Sequence, residues 1–151
     1  MDNTEIEQRV TQAVAYFEEG YNCSQAVFIA YSDIYGIDSL MAAKLATSFG
    51  GGMGRLREVC GAVSGMFLVL GLHYPSIDTT DKDAKNTNYK AVQRTANDFK
   101  AEMGSYICAD LLKIKHEPEK PEASDRDEAY YKMRPCSRCV YLAAEIVGKE
   151  I

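Results

Sequence analysis

The sequence lacks the features that mark nucleic-acid-binding and membrane-spanning proteins. Its 151 residues contain no Lys/Arg tract and carry a formal charge of −5, whereas nucleic-acid-binding proteins normally present a basic face to the phosphates. The longest apolar stretch, residues 59–72, is too short to span a bilayer and is interrupted by glycine and serine. We therefore expect neither nucleic-acid binding nor membrane insertion.

The pattern of a secreted, disulfide-stapled domain is also missing. The first ten residues, MDNTEIEQRV, are acidic and polar and do not have the charged-then-apolar layout of a signal peptide. The number of cysteines is odd, at five, and a chain of this length can form a hydrophobic core without disulfide bonds. We expect a cytoplasmic protein, in which the cysteines are metal ligands, redox-active thiols or inert buried residues.

Sustained alternation of apolar and polar residues, the signature of a half-buried sheet, is absent, and the apolar residues recur with helical spacing instead. This periodicity predicts a single all-α domain over residues 1–151, folded as a compact antiparallel bundle of about six helices. Residues 115–129, which are charged and contain proline, are predicted to form a solvated loop. Capping, glycine and proline signals predict helical segments over residues 5–17, 23–35, 40–49, 55–72, 81–103, 106–114 and 135–147.

Three of the cysteines fall in the first turn of a predicted helix: Cys23, Cys108 and Cys136. Unpaired backbone N–H groups and the positive end of the helix dipole favour negative charge at that position. A thiol there has a lowered pKa, and its thiolate is the form that attacks disulfides or binds metals.

Cys60 has a different predicted setting, about one turn inside an apolar helix. The surrounding segment, CGAVSG, has small side chains, and Gly61 and Gly65 lie four residues apart on one helix face. The space beside the sulfur indicates a close partner, such as another thiol, a cluster or a substrate, or else ordinary packing of another helix against small residues. The sequence leaves both interpretations open.

The last helix begins with a C-x-x-C motif formed by Cys136 and Cys139, flanked by Arg134 and Arg138. This spacing can form a redox disulfide or supply two metal ligands. The strand of a thioredoxin-like unit does not precede it, and the second close pair of a zinc ribbon is missing. A site assembled from distant helices remains open.

The other candidates give weaker signals. His73 and His116 are the only histidines and occur in no metal-binding motif. His73 closes a predicted helix, where it favours the negative end of the dipole, and His116 is expected to be exposed in the charged loop. The glycine-rich GGGMGR lacks the Lys-Ser/Thr ending of a P-loop and follows a predicted helix, although such a turn allows backbone to approach a bound group.

These motifs together resemble the C_GCAxxG_C_C family, whose redox activity is inferred from its cysteines. The resemblance covers nearly the whole chain, and the central block here reads CGA where the family label reads GCA. It implies that Cys23, Cys60, Cys108 and Cys136 are the functional cysteines and that Cys139 is additional. It also implies an association with transporters and, through one stretch similar to a multihaem cytochrome with an iron–sulfur centre, a conceivable cluster. The matching segments are residues 20–27, 49–54, 60–65 (with Gly61, Ala62 and Gly65) and 70–72, together with Cys108 and Cys136.

Three functions are consistent with this reading. The first is thiol–disulfide exchange or electron transfer with a redox partner protein or a transporter-associated protein. The second is a metal-binding module, in which Cys23, Cys60, Cys108 and Cys136 hold zinc or an iron–sulfur cluster. The third is a structural or partner-docking helical protein with incidental cysteines and no cofactor. Self-association into a homo-oligomer is compatible with each of them.

Overall fold

The computed structural model describes residues 1–151, with the side chain of Met133 left aside. Over this part of the chain the fold is all-α, as predicted, with eight α-helices and no strand. Six helices have eight or more residues, so the predicted number of about six is approximate. The helices are α1 (Asn3–Glu18), α2 (Cys23–Ser32), α3 (Ser39–Ala46), α4 (Gly61–His73), α5 (Lys82–Met103), α6 (Cys108–Leu112), α7 (Glu128–Met133) and α8 (Cys136–Glu150).

Helix α2 is the centre of the molecule. Nine of its ten residues are buried, and it packs against α1, α3, α4 and α8. Its start is defined by a capping box, because the side chain of Asn22 accepts from the Gln25 backbone N–H and the Gln25 side chain accepts from the Asn22 N–H. The Tyr31 hydroxyl donates to the carbonyl of Ala144 in α8 at 2.7 Å. The capping box holds the start of α2, and therefore Cys23, in one place, and the Tyr31 bond joins the other end of the helix to α8.

Glycines allow α4 to approach α2 closely. A Cβ atom at Gly65 would lie 2.6 Å from the carbonyl oxygen of Ser24, and one at Gly61 would lie 3.0 Å from the carbonyl oxygen of Phe49. No larger residue fits at Gly65 unless the backbone of α2 shifts. The sequence-based prediction of a close backbone contact on this glycine face is confirmed.

The start of α4 differs from the prediction. The helix begins at Gly61 and not at residue 55, so Cys60 is the residue that precedes the helix and does not lie one turn inside it. The reason is the glycine-rich turn, whose left-handed backbone continues through Arg55 (φ 68°) and Arg57 (φ 60°). An α-helix cannot pass through residues with positive φ.

Most other helix boundaries differ by one to three residues, and one further short helix is present. Asp38 caps α3 and Ser39 is its first residue, because the Asp38 carboxylate accepts from the Met41 N–H at 2.8 Å. Helix α7 begins inside the end of the predicted loop 115–129. Gly148 does not end α8, which continues to Glu150.

The role of Gly148 is packing instead of termination. A Cβ atom at this position would lie 2.5 Å from the hydroxyl oxygen of Tyr31. The glycine therefore lets α8 approach α2 closely.

No helix among the described residues combines the length and apolar character needed to cross a bilayer.

We expect Gly65→Ala to lower the free energy of unfolding by about 1–3 kcal/mol, because the added methyl group overpacks the contact with Ser24. Gly71→Ala is the matched control, since it lies in the same helix and an added Cβ there would have no side chain or other segment within 4 Å. It should raise stability by about 0.5–1 kcal/mol through helix propensity. Urea unfolding followed by circular dichroism measures both. Equal effects of the two changes would contradict the packing assigned to Gly65.

Candidate functional site

All five cysteines line one small cavity, with a volume of about 50 Å³. Each of four helices contributes a cysteine at its beginning: Cys23 to α2, Cys60 just before α4, Cys108 to α6 and Cys136 to α8. Cys139 follows one turn into α8. All five are free thiols, of which four are buried and Cys136 is partly exposed. The fold thus brings together residues that are up to 116 positions apart in the sequence (from 23 to 139).

The thiols form two interacting pairs. The ionisation of Cys23 is linked most strongly to that of Cys136, and the ionisation of Cys60 to that of Cys139. The two cysteines of the C-x-x-C motif therefore face different partners. Cys139, which the family resemblance treats as additional, has a partner inside the cavity just as Cys136 does.

The first pair is electrically asymmetric. The neighbouring Cys23 thiol lowers the pKa of Cys136 to about 7, against the opposing effect of burial, and the positive charges of Arg134 and Arg126 lower it further. The interaction with Cys136, together with burial, raises the pKa of Cys23 well above its ordinary value. Cys136 therefore holds the negative charge, and Cys23 keeps the proton.

The second pair has the same asymmetry. The neighbouring Cys139 thiol lowers the pKa of Cys60, and the backbone N–H groups of Val63 and Ala62 in the first turn of α4 lower it further, although burial opposes them. The pKa of Cys139 is raised by its interaction with Cys60 and by burial. Unpaired N–H groups at a helix start thus stabilise a thiolate at Cys60.

Cys108 contacts an arginine instead of a thiol. Nη1 of Arg57 donates to the Cys108 sulfur at 3.4 Å, and burial raises the pKa of Cys108 more than this hydrogen bond lowers it. A Cβ atom at Gly52 would lie 2.5 Å from Cβ of Cys108. The glycine-rich turn therefore approaches Cys108 closely, and this contact requires a glycine.

Some candidates from the sequence lie outside this cavity. The Nδ1 atom of His73 is 3.0 Å from the Tyr35 hydroxyl, and Nε2 of the exposed His116 is 2.8 Å from the Glu58 carboxylate. Of the small residues around Cys60, Gly61 lines the cavity, whereas Ala62 and Gly65 are not part of its wall. The role of Ala62 is limited to its N–H group, and that of Gly65 to helix packing.

Sequence reasoning missed two arginines that line the cavity. Arg57 belongs to the left-handed turn, and Arg126 belongs to the predicted solvated loop. Both side chains form part of the cavity wall. The guanidinium of Arg126 stacks 4.5 Å from the ring centroid of Phe17 and 4.9 Å from that of Tyr130. The signal available in the sequence was the presence of both arginine and tyrosine in residues 126–134, because arginine side chains stack on aromatic rings.

No group of three or more Cys, His, Asp or Glu side chains in the described residues has an arrangement that could hold a metal ion. The thiols instead interact most strongly in twos. A pair in which one sulfur favours the negative charge and the other keeps the proton suits exchange between a thiolate and a disulfide.

We expect alkylation by iodoacetamide to be fastest at Cys136 and its rate to rise through a midpoint near pH 7, the pKa of that thiol. An ordinary thiol would show its midpoint at about 8.5. Arg134→Gln should raise the midpoint, whereas Arg138→Gln, a matched change at a residue that does not line the cavity, should leave it unchanged. Mass spectrometry of the labelled peptides identifies the reactive residue. Faster labelling at another cysteine would contradict this assignment.

Comparison with known proteins finds a matching family. A family model described as "Putative redox-active protein (C_GCAxxG_C_C)" matches residues 21–150. No curated protein and no solved structure matches the chain. The matched residues include all five cysteines and the four helix beginnings around the cavity. The chain therefore belongs to the C_GCAxxG_C_C family.

Proposed function

We propose that the protein carries out thiol–disulfide exchange, with Cys136 as the attacking thiol and Cys23 as the resolving thiol. The observation that carries this proposal is that the two thiols line one small cavity, where the Cys23 thiol and the charges of Arg134 and Arg126 lower the pKa of Cys136 to about 7. Cys136 is also the only one of the five that is partly exposed, among the described side chains. A thiolate with a pKa near ambient pH is the most effective attacking group in exchange.

The reaction begins when the Cys136 thiolate attacks one sulfur of a substrate disulfide. A bond forms between Cys136 Sγ and that sulfur, the substrate S–S bond breaks, and the other substrate sulfur leaves as a thiolate. The departing thiolate takes the proton of Cys23, whose sulfur then attacks Cys136 Sγ. The Cys23–Cys136 disulfide forms and the second substrate thiolate leaves. Two electrons pass from the cysteine pair to the substrate disulfide, which is reduced to two thiols.

The second pair can act as a further dithiol couple. Cys60 has a lowered pKa and Cys139 is its proton-holding partner. Cys139 lies one helical turn from Cys136, so it can attack the Cys23–Cys136 disulfide at Cys136; Cys23 leaves and takes the proton of Cys139, and a transient Cys136–Cys139 disulfide forms. The Cys60 thiolate then attacks Cys139 Sγ, Cys136 leaves as a thiolate, and the oxidation has passed to the Cys60–Cys139 pair. In this role Cys139 is a functional cysteine in addition to those that the family resemblance implies. Cys108, which the resemblance includes, takes no part in either couple.

One observation also favours a second function. Five thiols around one cavity provide enough sulfur to hold zinc or an iron–sulfur cluster. The contacts between thiols in twos favour exchange over metal binding, and the two functions have different experimental signatures.

We expect an excess of oxidised dithiothreitol or oxidised lipoamide to convert four of the five thiols into two disulfides. Peptide mapping should find Cys23 joined to Cys136 and Cys60 joined to Cys139. Cys108→Ser is the control, and it should not change this pattern, because Cys108 is hydrogen-bonded to Arg57 and belongs to neither pair. Cys136→Ser should leave Cys23 reduced. A Cys136–Cys139 disulfide as the final product, or no loss of thiols at any potential, would contradict the pairing.

Metal analysis of anaerobically purified protein tests the alternative. Stoichiometric iron with visible absorbance, or stoichiometric zinc, that is lost in Cys23→Ser would replace exchange by metal binding as the function. Protein that contains neither, and whose thiols oxidise reversibly in the two pairs, supports exchange.

A further inference from the structure

A groove with a volume of about 430 Å³ opens beside the cysteine cavity. The two spaces share part of their walls, so that the groove leads to the thiols. The shared residues are Asn22, Gly51, Arg57, Arg126, Tyr130 and Arg134.

The groove has a concentration of positive charge that is unusual for this acidic chain. Four arginines line it: Arg55, Arg57, Arg126 and Arg134. Within the described side chains, the one carboxylate that lies within 4.0 Å of any of them is Glu119, which pairs with both Arg55 and Arg57. The four cations and one anion leave about three uncompensated positive charges, in a chain whose formal charge is −5.

Arg57 has a buried donor without a partner. The residue is 1% exposed, its Nε donates to Glu119 and its Nη1 to Cys108, but its Nη2 has no hydrogen-bond partner among the described residues. A buried charged donor that makes no hydrogen bond is costly. An anionic ligand in the adjoining space would supply the missing acceptor.

The other two arginines of the shared wall are held in place by neutral groups. Arg126 donates to the carbonyl oxygens of Phe17 and Tyr21, each at 3.0 Å. Arg134 donates to the hydroxyl of Ser124 at 3.3 Å and stacks 4.7 Å from the Tyr130 ring centroid. Both guanidinium groups are thus ordered by contacts that leave their charge unpaired, and both lie close enough to Cys136 to lower its pKa.

We propose that this groove binds a low-molecular-weight disulfide that bears carboxylates, and that this molecule is the substrate attacked by Cys136. The inference rests on the proposed exchange function. The groove has the volume of a small-molecule site, and arginine is the side chain best suited to bind carboxylates, through paired hydrogen bonds. A carboxylate on the arginines would place the disulfide next to the cavity that contains Cys136.

The test compares three disulfide probes of similar size and different charge: dithiodipropionate, which is a dianion, hydroxyethyl disulfide, which is neutral, and cystamine, which is a dication. Rates of oxidation of the reduced protein should be about tenfold higher for the dianion than for the neutral probe, and lowest for cystamine. The advantage of the dianion should fall as ionic strength rises.

Arg134→Gln and Arg138→Gln form a matched pair of variants, because each removes one positive charge from the same part of the chain. Arg138 lines neither space. Arg134→Gln should reduce the ratio of the dianion rate to the neutral rate severalfold, whereas Arg138→Gln should preserve it. The ratio is the informative quantity, because a change in the pKa of Cys136 alters both rates equally.

Binding without chemistry separates the two proposals. In Cys136→Ser, dithiodipropionate should raise the midpoint of thermal unfolding more than hydroxyethyl disulfide does, and this difference should disappear when Arg134→Gln is added. Equal rates for the three probes, or equal effects of the two arginine variants, would overturn the anion site and leave exchange intact. Failure of every probe to oxidise wild-type protein, with binding to Cys136→Ser retained, would overturn exchange and leave the anion site.

Discussion

The convergence of four helix beginnings on one cavity is the constraint on which the site depends. Backbone N–H groups in the first turn of a helix have no partner within the helix, and they favour negative charge. Cys23, Cys60, Cys108 and Cys136 occupy these positions in four different helices. The partial positive charge of these N–H groups therefore acts on sulfur atoms, in a space too small for bulk water to screen that charge.

Interactions between neighbouring thiols then make the two members of each pair unequal. In each pair one pKa is lowered and the other is raised, so that one sulfur favours the negative charge and the other keeps the proton. Arginine charge also lowers the pKa of Cys136, whereas the thiolate of Cys60 is stabilised by its thiol partner and by backbone N–H groups. The two pairs thus share one asymmetry and differ in what further stabilises the thiolate.

Much of the fold follows from local signals in the sequence. The Asn22 cap places Cys23 at the first residue of α2, and the glycine after Met103 has the left-handed backbone that ends α5. Such signals act over a few residues, and sequence reasoning therefore located three of the four helix-terminal cysteines. The start of α4 was misplaced because no local signal was available. The segment from residue 55 resembles a helix, and no neighbouring residue indicates the positive φ of Arg55 and Arg57.

The site itself is a property of the tertiary structure. The pairing of Cys139 with Cys60, and of Cys136 with Cys23, depends on how α8 is rotated against α2 and α4, which no spacing along the chain specifies. Arg126 looks like one charge among many in a polar segment, and only the packing of that segment over Phe17 brings it to the cavity. Local patterns therefore identified cysteine as the reactive residue type, whereas the partners of each cysteine could be identified only from the fold.

The division of the C-x-x-C motif between two partners has an electrostatic consequence. A negative charge on Cys136 raises the pKa of Cys60 through the space between them. When Cys136 enters a disulfide that charge vanishes, and ionisation of Cys60 becomes easier. In the proposed exchange, oxidation of Cys136 would therefore favour ionisation of Cys60, and the two pairs would react one after the other, each in a two-electron step.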